Sequence, residues 1–244
     1  MSRTLVIGDI HGGLKGLIQA LGRVKPQSSD HFIFLGDYVD GWSESAQLIQ
    51  YLIEFDKKYS CEFILGNHDA WCLEWLEGKD ANHIWLKHGG KSTVESYRSF
   101  SEEEREEHIL FFLRMQNFII DDANRLFVHA GFSSMHGPEK EHYSSNYSWD
   151  RTLWELAVAI HGKVQKDERC YPKRLKLFHE IYIGHTPTLD WGIDTPWNRV
   201  NVWNLDTGAA FTGKLSIMDI DSKEVWQSDS LVSLYPNETG RNQN

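Results

Sequence analysis

Gly8-Asp9-Ile10-His11-Gly12, set directly behind Leu5-Val6-Ile7, decides how this 244-residue chain is read. A short apolar run bounded by glycine has the length and composition of a buried strand. An Asp and a His just beyond such a strand stand where an open α/β sheet gathers its ligands. The arrangement returns four times. Phe32-Ile33-Phe34-Leu35 runs into Gly36-Asp37-Tyr38-Val39-Asp40-Gly41, and Phe63-Ile64-Leu65 into Gly66-Asn67-His68-Asp69. Leu126-Phe127-Val128 precedes His129-Ala130-Gly131, and Ile181-Tyr182-Ile183 precedes Gly184-His185-Thr186. Five strands delivering such groups to one edge predict a metal centre.

Between these strands the periodicity turns helical. Leu14, Leu17, Ile18 and Leu21 share one helix face, and Leu48, Leu52 and Phe55 continue a second stripe, with Ser43 as its expected N-cap. Strand–helix alternation with short connections implies parallel strands joined by right-handed crossovers. Residues 78 to 117 carry no strand signal. Ser101-Glu102-Glu103-Glu104 and Thr152-Leu153-Trp154-Glu155 read as capping boxes that open helices. The acid run Glu102 to Glu107 is thus a solvated helix start. Residues 199 to 228 turn strand-rich again. The expected organisation is one catalytic domain over residues 1–232 and a polar, frayed tail over 233–244.

Composition narrows the function classes. Hydrophobic residues make up 41% of the chain, with ten Trp and twelve Phe, enough for a bulky core. Lys and Arg number 25 against 35 Asp and Glu, a net charge of −10. An acidic surface argues against general nucleic-acid or anionic-membrane binding. It leaves a phosphorylated substrate open, because bound dications reverse the local field. Cys61, Cys72 and Cys170 lack metal-type spacing and are expected to be buried free thiols. No stretch approaches the ~20 apolar residues that span a bilayer, and Met1-Ser2-Arg3 leads straight into a strand, so the expected location is the cytoplasm.

Hydrolysing a phosphate ester requires neutralising the phosphoryl charge and activating a water. Two dications about 3.5–4 Å apart meet both needs. The blocks supply a matching inventory. Asp9 and His11 flank Ile10 in one turn and can reach a single ion, Asp37 is the natural bridge, and Asn67, His129 and His185 complete a second ion. Mixed carboxylate, amide and imidazole donors suit manganese, with iron or zinc as alternatives, better than calcium. Any one of these residues alone is as well explained as a turn or cap residue; the ordered set is what points to metal.

That ordered set resembles the calcineurin-like metallophosphoesterase superfamily, and within it the bacterial phosphoprotein phosphatases, which include serine/threonine phosphatases and symmetrical diadenosine tetraphosphatases. The resemblance spans roughly residues 3 to 220. It includes Asn204-Leu205-Asp206-Thr207-Gly208-Ala209 with Gly213-Lys214-Leu215, and the stretch Trp85-Leu86-Lys87-His88-Gly89-Gly90 with Thr93, Ser96 and Tyr97. It implies an α/β fold, a β-sandwich of mixed sheets flanked by helices, with a dinuclear metal site at the strand C-terminal ends. It also implies a metal-bridging hydroxide as nucleophile, His68 as general acid and Asp40 as the carboxylate holding His68 in its protonated orientation.

Two positions depart from the pattern. Protein phosphatases of the eukaryotic type carry a phosphate-holding Arg where this chain has Gly41, followed by Trp42. Arg151, after Trp149-Asp150, is the expected substitute, against a plain reading as surface charge. Asp69 stands where those phosphatases have Glu. The implied activity is phosphomonoester hydrolysis, with a phosphoserine or phosphothreonine protein as preferred substrate and a small phosphoester of the diadenosine tetraphosphate type as alternative. A third reading is a metal-free scaffold that keeps the fold as an interaction surface. Gly89-Gly90-Lys91-Ser92 resembles a phosphate-binding loop but has Trp85 where the motif needs Gly, so it fails. Trp42 and Trp71 are expected at the substrate mouth.

Overall fold

Alternation along β1 (Thr4–Ile7) explains the architecture. Leu5 and Ile7 point to one side and Val6 to the other, and all three are fully buried. A strand buried on both faces must lie between two layers. The computed structural model, which describes residues 2–242, shows two five-stranded mixed sheets stacked face to face with helices outside. In the first sheet, β1 lies parallel to β2 (His31–Phe34), which is parallel to β3 (Ser60–Phe63). On its other side β1 pairs antiparallel with β9 (Ser216–Asp219), and β9 with β10 (Val225–Gln227). The second sheet runs β4 (Phe118–Ile120), β5 (Arg125–Val128), β6 (Glu180–Ile183), β8 (Val202–Asn204), β7 (Trp197–Arg199). Its three middle strands are parallel.

Between the sheets, Val6, Ile33 and Met218 lie in register and, with Ile220, face Phe127, Tyr182 and Leu205. Phe127 and Tyr182 stack with centroids 5.0 Å apart. Each such side chain contributes about 1.5–3 kcal/mol by leaving water. The outer face of the first sheet is covered by α1 (Leu14–Val24), α2 (Ser45–Asp56) and α3 (Asn67–Leu76). A separate cluster around Leu153, Trp154 and Phe178 covers the second sheet. All five strands that lead into the motif blocks are present, and the segment from His83 to Leu113 is helical throughout its regular parts, with the Ser101–Glu104 capping box formed.

Several local expectations differ from the structure. Ser43 does not cap α2: its amide and hydroxyl instead both donate to Glu238, near the C-terminus. Thr152 is the first residue of the helix Thr152–Ile160 rather than its cap; Arg151 holds the N-cap position, and the Asp150 carboxylate before it accepts from the amides of Thr152 and Leu153. Strands β4 and β7, each three residues long, escaped the periodicity. Of the cysteines Cys72 is buried, Cys61 half-buried and Cys170 exposed, all free. The described part of the tail is not frayed. Tyr235 is 1% exposed, stacks on Trp42 at 5.1 Å and accepts the Lys15 amide proton on its hydroxyl. Trp42 is therefore the tail's docking platform rather than part of a substrate mouth.

Candidate metal centre

Every ligand-type residue found in the sequence is set by a turn that leaves a strand of the two parallel runs. Asp9 and His11 follow β1, Asp37 and Asp40 follow β2, Asn67 and His68 open α3, His129 follows β5 and His185 follows β6. The first two turns interlock: the amides of Ile10 and His11 donate to the Asp37 carbonyl, Gly12 to Tyr38, and Trp42 back to His11. Eight described non-glycine residues have positive φ, and four of them are His11, Asp37, Asp40 and His185. Positive φ disfavours L residues by steric crowding, and such strain collects at functional sites. Here the strain falls on the chemistry-bearing residues themselves. Glycine is required where backbone meets carboxylate: a Cβ on Gly184 would lie 2.0 Å from Asp9 Oδ1, and one on Gly66 2.1 Å from Asp37 Oδ1.

Asp9, His11, Asp37, Asn67, His129 and His185 converge, and all are buried. Ligand atoms of Asp9, His11 and Asp37 lie within 4.8 Å of one another, as do those of Asp37, His129 and His185. Asp37 is common to both groups, the position a bridging carboxylate needs. Asn67 Oδ1 is 3.3 Å from His129 Nε2, on the same side.

The donor set fits divalent cations. His129 Nδ1 is 2.8 Å from the Leu35 carbonyl, and His11 Nδ1 is 3.1 Å from the Val39 carbonyl. A carbonyl only accepts, so both imidazoles carry their proton on Nδ1 and present an Nε2 lone pair, as metal-binding histidines do. His185 Nε2 is buried without any partner among the described residues. Charge balance agrees. Burial pushes Asp9 well above the carboxylate range, with Asp206 adding to it, and raises Asp206 itself to about 6. Burial opposes ionisation of His129, yet Asp37, its hydrogen bond and Asp9 outweigh that and raise it to about 10. Two bound dications would offset the carboxylates in place of a proton on His129 and leave its Nε2 lone pair free.

Asp40 and His68 form a buried pair, Oδ2 to Nδ1, at 2.5 Å. Asp40 also accepts from Thr93 Oγ1 and Trp85 Nε1, each at 2.6 Å. Burial pushes Asp40 up to about 8 against those donors, and burial pulls His68 down to about 3. Both shifts have burial as their largest cause, and both resist charge separation within the pair. Asp69 accepts from the amides of Asp37, Gly66 and Tyr38 at 2.7 to 2.9 Å. It ties the second turn to the third, which accounts for a carboxylate at this position.

The site opens into a cavity of about 350 Å³ lined by Asp37, Asn67, His68, His185, Arg151 and Asp206, among others. Trp71, T-shaped against both His68 and Trp149, forms one wall. Arg151 reaches this cavity, its Nη1 donating to Thr186 Oγ1 at 3.0 Å. Sequence reasoning did not single out Asp206, Thr93, Trp85 or Arg241 as site residues. The first three lie in stretches noted for their resemblance, but nothing local told which side chain points inward.

The sequence model of calcineurin-like phosphoesterases matches residues 2–198. The chain belongs to the calcineurin-like phosphoesterase family. Within the curated proteins, this phosphoesterase is 25% identical over 237 residues to the bis(5'-nucleosyl)-tetraphosphatase PrpE (asymmetrical) of Oceanobacillus iheyensis, covering 90% of this chain and 89% of that one. It is 24% identical over 273 residues to the symmetrical bis(5'-nucleosyl)-tetraphosphatase of Neisseria meningitidis, covering 91% and 93%. Its fold matches a solved serine/threonine phosphatase of Saccharomyces cerevisiae with a TM-score of 0.63 at 12% identity, covering 94% of this chain and 80% of that one. The chain is thus a hydrolytic enzyme of this family, built on its two-sheet fold. No described helix is long and apolar enough to cross a membrane.

Proposed function

We propose that this phosphoesterase is a dinuclear metal-dependent hydrolase of nucleotide polyphosphates, working in the cytoplasm on a small-molecule substrate. The observation that carries the reading is the convergence of Asp9, His11, Asp37, Asn67, His129 and His185 beside one cavity whose rim pairs Trp71 and Trp149 with arginine. Aromatic faces stack nucleobases, and arginine binds phosphate in a bidentate fork. The curated relatives named as bis(5'-nucleosyl)-tetraphosphatases support the same substrate class.

Asp9, His11 and Asp37 would hold one cation, and Asp37, Asn67, His129 and His185 the other, with Mn2+ the best match to the donors. When bound, the pair supplies positive charge for the phosphate oxygens and acidifies water. Arg151 binds the phosphate. His68 passes a proton from Nε2 to the leaving oxygen after taking it up from solvent, and Asp40 fixes its ring through Nδ1. Thr93 and Trp85 keep the Asp40 carboxylate aimed at His68.

A phosphoserine or phosphothreonine protein is the second reading. It is supported by the phosphatase-type motif set and by the exposed Ile84 and Trp149 at the mouth, which a peptide can cross. Purified protein with Mn2+ should release nucleotide from diadenosine tetraphosphate with kcat/KM at least ~10-fold above phosphate release from a phosphopeptide. The reverse order moves the assignment to the second reading. No turnover of either, with no dication bound at any loading, leaves the scaffold reading.

A further inference from the structure

Gly41 takes the place of the arginine that resemblance leads one to expect, and the space above it is filled from 200 residues away. The tail returns over the site: Gly240, with φ of 58°, packs on Trp42, and the Arg241 amide donates to the Ala210 carbonyl at 2.8 Å. The Arg241 side chain then runs between the turn at Gly41 and the helical segment Leu86–Gly90. A Cβ built on Gly41 would lie 3.3 Å from Arg241 Cγ, and one on Gly89 3.2 Å from the same atom. An arginine at position 41 and the docked tail thus compete for one space. Arg241 ends in the catalytic cavity with Asp37, Asn67, His68, His185 and Asp206. Its Nε is buried without a partner, and among the described residues it has no ion-pair partner. A buried guanidinium nitrogen left unpaired costs free energy unless an anion completes it.

We infer that Arg241, delivered by the C-terminal segment, is a substrate-binding residue that holds the phosphoryl group opposite Arg151. The inference rests on the phosphoesterase reading of the site. The tail is fastened independently of any ligand, by Tyr235 on Trp42 and by Glu238 on Ser43. Docking of the tail therefore completes the phosphate site, where a residue of the second block would otherwise do so.

Arg241→Ala and Arg241→Lys test this with 4-nitrophenyl phosphate as substrate, inorganic phosphate as product inhibitor, and calorimetric titration of inorganic phosphate into Mn2+-loaded protein. Losing a charged hydrogen-bonding fork predicts that KM and the phosphate dissociation constant rise ~10–100-fold in Arg241→Ala. Arg241→Lys should fall between, because it keeps the charge without the fork. Bound manganese and melting temperature should match wild type. Phosphate affinity within about twofold of wild type in both variants, at equal metal content, overturns the inference. So does loss of metal from Arg241→Ala with Arg241→Lys unaffected in phosphate affinity, which makes the residue a structural prop. If wild type hydrolyses no phosphoester yet binds phosphate through Arg241, the enzymatic reading fails while this one stands.

Discussion

The two sheets meet at the site with unlike edges. The edge of the first sheet brings Asp9, His11, Asp37, Asp40 and Asn67, and its turns are cross-tied: Asp69 accepts from three amides, Asp40 from Thr93 and Trp85, and Asp37 from the His68 amide. The edge of the second sheet brings His129, His185 and Arg151. They have fewer ties within their own edge: His129 Nδ1 meets the Leu35 carbonyl while its Nε2 faces Asn67 and Asp37, Arg151 donates to Thr186, and the His185 amide donates to Asp9 while its Nε2 has no partner among the described residues. The first edge is cross-tied through its own turns. The second keeps a buried imidazole nitrogen without a partner among the described residues, a lone pair free for a cation. Rigid preorganisation on one side and open valence on the other is how a site fixes its geometry while keeping affinity for a cation.

Asp37 is the seam between the two edges, so removing its charge should break the contrast most. Asp37→Asn is expected to lose both cations by elemental analysis and to lower kcat/KM by ~10³-fold or more, beyond the loss of one electrostatic stabiliser. Retention of two equivalents of metal would remove Asp37 from the bridging position. His68→Asn leaves both edges standing. It should keep its metal and lose ~10²–10⁴ in turnover on an alkyl phosphate. The loss should shrink on a nucleoside polyphosphate, whose leaving phosphate needs little protonation; equal turnover with wild type on the alkyl ester would end the acid role.

Thr93→Val probes whether the bonds behind the first edge matter for chemistry. Losing one donor to Asp40 should reduce turnover ~10–100-fold with metal content unchanged, the usual scale for a group behind a ligand or acid. A drop in metal instead would place Asp40 within the ligand set. The smallest effect separates the frame from the site. His108 is fully buried against Tyr97 and Gln50, and burial lowers it to about 4, with Glu104 opposing slightly. Between its ordinary value of 6.5 and about 4 the unfolded chain binds a proton that the folded one does not. Stability therefore falls as pH falls through this window, by up to about 3 kcal/mol in all. Urea midpoints of metal-free wild type and His108→Gln at pH 7.5 and 5 should show a shallower slope in the variant. Parallel slopes would assign the acid sensitivity to other groups.

What was legible in the sequence was legible for local reasons. A strand end, a tight turn and a ligand-type side chain occupy at most six consecutive residues, so blocks such as Gly36 to Gly41 announce both fold and chemistry. Ser101 to Glu104 announced its cap the same way. Ser43 misled because its best acceptor, Glu238, lies 195 residues on. Trp42 misled because a tryptophan beside a motif block looks the same whether it faces substrate or a returning tail. Arg151 and Arg241 are single charges outside the blocks, and only Arg151 fell in a region where the resemblance implies a phosphate-binding arginine. The proton state of His68 and Asp40 depends on burial, which no spacing expresses.

By itself the chain determined the strand-and-turn blocks, the candidate ligands they carry and the family, because strand length, turn chemistry and residue order are written over a few neighbouring positions. Tertiary structure alone decided that the tail folds back, that Trp85 and Thr93 stand behind Asp40, and that Arg241 lies over Gly41. Those pairings join residues 45 to 200 positions apart. Their stability comes from shared burial and from polar groups that find partners only once the sheets and helices have packed.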